Sequence, residues 1–301
     1  MTDRPPHKKD TKKQGHKKGR PPKKPHAKAG AGTGAGTGAG GVRPGRRPPL
    51  RVFTTTLWEY PSQHYDDSLG NTEQGSKGYE GATPSWVIWQ VLERYTGEGD
   101  RVLDPMCGSG TTLDVCRDRG RKGIGFDLAP TRDDIARADA REMPLDENAV
   151  ELVFIDPPYS THIAYSDDPA CIGKLDAGEQ PGRGDAEPMG AAYYEAMEEV
   201  IAEAARVLRP GGVLAVYVSD SWRKRKRSGD PVFMPIGFEL FSIARDYLDP
   251  IDIVCVARHN AKLGRGNWHK AAEEENFFLR GFNYLLLFRA ANGRGVTGNP
   301  R

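Results

Sequence analysis

The sequence predicts an α/β domain built as a mostly parallel, doubly wound sheet. Three observations carry this. Short apolar runs alternate with helical stretches from residue 85 onward. One run, Arg101 to Asp104, passes through a glycine-rich loop directly into a helix. Another, Leu152 to Ile155, is halted by two prolines, which cannot donate to a sheet ladder.

The elements follow in order. Ser85 to Tyr95 reads as a helix, with Thr83 as its N-cap and Pro84 at the first helical position. The strand Arg101 to Asp104 leads through Pro105, Met106, Cys107, Gly108, Ser109, Gly110, Thr111 and Thr112 into a helix from Leu113 to Arg119. A second strand, Gly123 to Phe126, ends in Asp127, and Asp139-Ala140-Arg141 follows it after a further helix. Beyond Leu152 to Ile155 comes Asp156-Pro157-Pro158-Tyr159, then a polar insert, Ser160 to Met189, expected to form a lid or substrate loop. A helix from Ala191 to Leu208 stops at Pro210-Gly211-Gly212 and turns into the strand Val213 to Val218. Two last strand-like runs are Ile251 to Ala257 and Asn283 to Arg289.

In such sheets ligands bind beyond the C-terminal strand ends, where both motifs fall. Glycines at 108 and 110 let the backbone approach a ligand closely, and the following helix start favours negative charge. Asp127 lies about 20 residues further on, where a ribose-binding acid is expected. A dinucleotide fingerprint fits poorly, because its third glycine position is Leu113; a phosphate-binding P-loop fails for want of Gly-Lys-Ser/Thr. Asp156 is an acceptor-only group at a strand end, with an aromatic ring three residues later. That pair suits an exocyclic amino group on a planar base. Its lone pair is conjugated into the ring; accepting its N–H bonds at Asp156 and a backbone carbonyl frees the lone pair, while Tyr159 stacks on the base.

The two motifs together resemble the S-adenosylmethionine-dependent amino-methyltransferases of DNA, the N6-adenine and N4-cytosine family. The family's loop reads Asp-Pro-Phe-x-Gly-Ser-Gly-Thr-Thr, and Met106 here replaces Phe. The resemblance spans roughly residues 79 to 290. It implies a Rossmann-like methyltransferase fold with an antiparallel last strand, S-adenosyl-L-methionine as cofactor, and Asp156, Pro157, Pro158 and Tyr159 as the catalytic tetrapeptide. It further implies that Thr83, Asp104, Pro105, Gly108, Ser109, Gly110, Thr111, Asp127 and Asp139 form the cofactor site. Asp139 would meet the cofactor's adenine and Thr83 its methionine end. Asp at the first tetrapeptide position leans toward adenine over cytosine. The loop-before-tetrapeptide order normally accompanies a large C-terminal recognition domain, yet few residues follow Phe288. Specificity is then expected from the inserts or from a partner protein.

Composition sets the remaining expectations. Residues 1–50 hold 9 Lys and 5 Arg against 2 Asp, a net of +12 within a chain of +2, so residues 51–301 carry −10. That Lys/Pro/Gly-rich arm is expected to be disordered and to attract polyanions. Residues 51–75 are an irregular connection, 76–292 the methyltransferase domain and 293–301 a flexible end. DNA-contact candidates are Arg223, Lys224, Arg225, Lys226 and Arg227 in one loop, and Arg265, Trp268, His269 and Lys270 in another, where Trp268 or His269 could lie near a flipped base. Four cysteines without CxxC spacing and seven histidines without ligand spacing predict neither disulfides nor a metal site. No apolar run spans a membrane, and a reducing cytoplasm is the expected location. RNA-base (guanine-N2) methylation, protein-glutamine methylation and a non-catalytic DNA-binding role stand as alternatives.

Overall fold

The computed structural model describes residues 47–180, 188–224, 231–258 and 266–292, with backbone alone at Arg223, Lys224 and Pro231. In chain order the elements are β1 (Leu57–Trp58), α1 (Ser85–Tyr95), β2 (Arg101–Asp104), α2 (Thr111–Asp118), β3 (Lys122–Asp127), β4 (Ala136–Arg137), β5 (Val150–Ile155), α3 (Ala191–Val207), β6 (Leu208–Val218), β7 (Ser221–Lys224), β8 (Pro231–Met234), α4 (Ile236–Ala244), β9 (Asp249–Ala257), α5 (Gly266–Glu274) and β10 (Phe282–Arg289). Eight strands form one sheet in the order β1-β9-β10-β6-β5-β2-β3-β4, and β7 and β8 form a separate hairpin. All pairings in the large sheet are parallel except those of β10, which runs antiparallel to both β9 and β6. This is the Rossmann-like methyltransferase fold the sequence implied, including its reversed last strand.

The strands read as continuous apolar runs because both faces are covered. Leu103, Val153, Ile155, Leu214 and Val216 face a core shared with α3 and α4. Their alternate neighbours Val102, Leu152, Phe154, Val213 and Ala215 face a second core shared with α1 and α2. The period of two thus divides each strand between two cores.

Three local readings change. Thr83 does not cap α1: the N-cap is Pro84, with no side-chain cap bond, and the Thr83 hydroxyl turns away to Asp156. The helix expected before Asp139 is replaced by bends and the two-residue β4, in a stretch interrupted by Pro130. Strand β6 starts at Leu208, directly after α3, and Arg209 to Gly212 bulge outward, since Val150 pairs with Leu208 while Leu152 pairs with Val213. Gly211 turns that bulge with φ +78°.

Residues 51–75 are largely irregular and pack on the core. Trp58, Tyr60 and Tyr65 are buried, and β1 extends the sheet beside β9. The segment is fastened to α2: Tyr65 Oη donates to Asp118 Oδ2 at 2.8 Å, the Ser68 N–H to Asp118 Oδ1 at 2.9 Å, and the Gly75 N–H to Asp114 Oδ2 at 2.7 Å. Among the described residues no helix is long and apolar enough to cross a membrane, and no His/Cys/Asp/Glu group is arranged to hold a metal. All four cysteines are unpaired.

Candidate active site

The parallel strands β2, β3 and β5 end side by side, and each delivers an acid to the same edge: Asp104, Asp127 and Asp156. The glycine loop crosses this edge from β2 to α2. Gly108 and Gly110 hold positive φ angles of 49° and 77°, which a side chain resists. A Cβ at Gly108 would lie 2.8 Å from the Tyr79 hydroxyl.

Asp104 is buried and staples the loop: it accepts from the Thr112 hydroxyl and from the Met106 N–H at 3.1 Å. Burial pushes its carboxyl up to about 7 despite those donors. Asp127 accepts the Gly108 N–H at 2.9 Å and the Ala129 N–H at 2.8 Å, which fixes its carboxylate at the cavity wall. Asp139 is gripped by Arg141 through Nε at 3.0 Å and Nη2 at 2.6 Å. Burial opposes its charge, but these bonds hold the carboxyl below the ordinary range.

These groups line one cleft with about 950 Å³ of empty space, its mouth included. Thr83, Asp104, Pro105, Gly108, Ser109, Thr111, Asp127, Asp139, Asp156 and Pro158 all border it. Gly110 does not border it but turns the loop into α2, and Pro157 is buried behind it. The sequence reading missed the loop's supports. Gly75, at φ +85°, packs so closely that a Cβ would sit 2.5 Å from Thr111 Oγ1. The Ser76 N–H donates to the Ser109 carbonyl at 2.8 Å, and Thr131 Oγ1 to the Gly108 carbonyl at 2.8 Å. Tyr79 and Tyr165 add aromatic walls.

Asp156 sits where this cleft meets a second one. Thr83 Oγ1 donates to its Oδ2 at 2.6 Å and Tyr159 Oη to its Oδ1 at 2.7 Å. Burial lifts the carboxyl to about 7; the two hydroxyls and the Arg258 charge pull against that rise. The second cleft is walled by Tyr60, Trp86, Tyr159 and Tyr217, with Arg258 and Asn283 among its polar groups. Of these, Trp86, Tyr217 and Asn283 carried no expected role in the site from sequence.

Arg225, Lys226, Arg227 and Arg265 fall outside the described residues, and Arg223 and Lys224 are described only as backbone of β7. Trp268, His269 and Lys270 are exposed on α5. Neither Trp268 nor His269 is among the residues that line the second cleft.

The site, with its glycine loop, three strand-end acids and a carboxylate between two clefts, can be compared with S-adenosylmethionine, the cofactor the sequence resemblance implied. The groups present fit that cofactor: a bare glycine backbone for close approach, Asp127 and Asp139 as acceptors for hydroxyl and amino groups, and an acidic lining suited to a sulfonium cation. Residues 2–138 match the family described as DNA methylase. The chain is 32% identical over 88 residues to the type II methyltransferase M.HinfI of Haemophilus influenzae, covering 29% of this chain and 24% of that protein. It is 32% identical over 74 residues to M.HpaI of Haemophilus parainfluenzae, covering 25% and 22%. Over these stretches the chain is similar to DNA methyltransferases. The chain spans under a quarter of the length of these relatives, and the family match ends before Asp156. The structure of a DNA modification methylase from Thermus thermophilus aligns with a TM-score of 0.33 and 21% identity, covering 55% of this chain and 54% of that one.

Proposed function

We propose that this protein methylates the exocyclic amino group of adenine or cytosine in DNA, using S-adenosyl-L-methionine. The observation that carries the reading is the meeting of two clefts at one carboxylate. The first is acidic and glycine-floored, and the second is lined by four aromatic rings. A base must leave its stack to reach such a walled cleft, and aromatic faces are what a flipped base meets.

When bound, S-adenosylmethionine supplies a methyl group carried on a cationic sulfur. The protein supplies the rest. Asp104 and the backbone of Gly108 shape the cofactor's cleft; Asp127 and Asp139 serve as its polar acceptors. Asp156 accepts an N–H of the target amino group and, with a carboxyl near 7, takes the proton that the methylated nitrogen sheds. Pro157 and Pro158 stiffen the loop that presents it. Tyr60, Trp86 and Tyr217 confine the base. No thiolate is required, and burial pushes the Cys107 thiol up, away from reactivity. A partner protein supplying sequence specificity and a cytoplasmic location complete the reading; the unpaired cysteines accord with a reducing compartment.

The test is methyl transfer from radiolabelled S-adenosylmethionine to unmethylated duplex DNA and to total RNA, with products resolved as nucleosides. Labelled N6-methyladenine or N4-methylcytosine from DNA is expected. Label confined to RNA guanosine would overturn the choice of substrate.

A further inference from the structure

We propose that Asn283 is a positioning residue that governs Asp156 through the Tyr159 hydroxyl. This rests on the assignment of Asp156 as the group that accepts the target amino group. Asn283 Nδ2 donates to Tyr159 Oη at 3.0 Å, and Tyr159 Oη donates to Asp156 Oδ1 at 2.7 Å. The relay fixes direction at each step. Because the amide supplies a hydrogen to the phenol oxygen, the phenol's own hydrogen is committed to the carboxylate.

The surroundings argue that Asn283 is kept for this bond. It lies on β10 and is 3% exposed. Leu285 and Leu287, which share its face, belong to the core packed under α1 and α2. Its Oδ1 is buried with no hydrogen-bond partner among the described residues. A buried amide with an orphan oxygen weakens a fold, and an apolar side chain in the same row would not. Among the described residues its side chain bonds to Tyr159, and its position borders the second cleft. Tyr159 therefore holds its carboxylate partner by its hydroxyl as well as walling the cleft with its ring. This separates it from a phenylalanine, which could supply the wall alone.

The other groups facing Asp156 are Thr83 before α1, Tyr79 and Tyr165 across the first cleft, Asp104 at the end of β2, Tyr217 on β6 and Arg258 after β9. None of them bonds to the Asn283 side chain in the structure, so substitution there reaches Asp156 by way of Tyr159.

The experiment compares N283L, Y159F and the double variant in the full chain. The carboxyl titration of Asp156 is followed by carbon NMR with labelled aspartate and assigned with D156N. N283L is expected to melt no lower than the parent and to move the Asp156 titration upward by about half a unit or more. Y159F should move it further, and the double variant no further than Y159F. Methyl transfer near pH 7 should fall about tenfold in kcat with N283L, the size of one lost hydrogen bond, with KM for S-adenosylmethionine unchanged. An unmoved Asp156 titration in N283L, or an effect of N283L that adds fully to Y159F, would overturn the relay. If the parent methylates no DNA while the titrations behave as expected, the relay stands and the substrate assignment falls.

Discussion

Thr83 and Asp156 are 73 residues apart in sequence and 2.6 Å apart in space. The bond ties the segment before α1 to the end of β5, and it spans the line where the two clefts meet. Thr83 spends its hydroxyl on the carboxylate rather than on capping α1. Thr83→Val should therefore leave thermal stability nearly unchanged while raising the pH at which activity appears. At pH 7 the rate should drop about tenfold, and the deficit should shrink by about pH 9, where Asp156 ionises regardless. A pH–rate profile of kcat/KM checks this; a deficit that is constant with pH would mean Thr83 acts only on shape.

On the proposed function, methyl transfer by the parent protein should fall as pH drops through about 7, because protonation takes an acceptor oxygen of Asp156 away from the amino group. Stability should run the other way. A carboxyl at 3.8 when unfolded and about 7 when folded binds an extra proton in the native state between those values. Stability contributed at low pH is then lost as pH rises through that window. Asp156→Asn should flatten this slope, abolish nearly all turnover, and retain cofactor binding. Melting curves at about pH 5 and pH 8, with calorimetric titration of S-adenosylmethionine, would show it.

Gly75 has no place in any motif, yet a side chain there meets Thr111 and Ser109 and must adopt a positive φ. Gly75→Val should loosen the glycine loop from behind, weakening S-adenosylmethionine binding at least about tenfold and lowering stability by about 1–3 kcal/mol. Unchanged affinity by calorimetry would show that the loop holds its form without this strap.

Removing residues 1–43 deletes most of the chain's concentrated positive charge. DNA affinity should weaken at low salt, and the slope of log affinity against log salt should become shallower. Binding measured at several salt concentrations tests this, and an unchanged slope would assign the phosphate contacts to residues 44–301.

The cofactor side of the site was legible because its residues are contiguous in sequence. Strand, glycine loop, helix and strand-end acid follow one another within 27 residues, Arg101 to Asp127, and each has its own local signature. Beyond Asp156 and Tyr159, the second cleft was not legible. Tyr60, Trp86, Tyr217, Arg258 and Asn283 come from five separate stretches and converge only through the sheet order. Strand β1 has two residues, too few for any period to show, and its pairing with Cys255 and Val256 is set by tertiary packing. One signal was available: Asn283 is a lone amide at the head of the apolar run Tyr284 to Phe288, and a polar residue in that place has to answer to something.

The placement of Tyr60 and Asn283 on opposite stretches of the chain has a consequence during synthesis. One wall of the aromatic cleft is made near the start of the folded part and another in its last strand, while the cofactor's cleft is complete much earlier. A nascent chain can thus shape the cofactor's cleft before it can seat a base. The second cleft is closed only when β10 slots between β9 and β6, so chains truncated ahead of that strand lack its second wall.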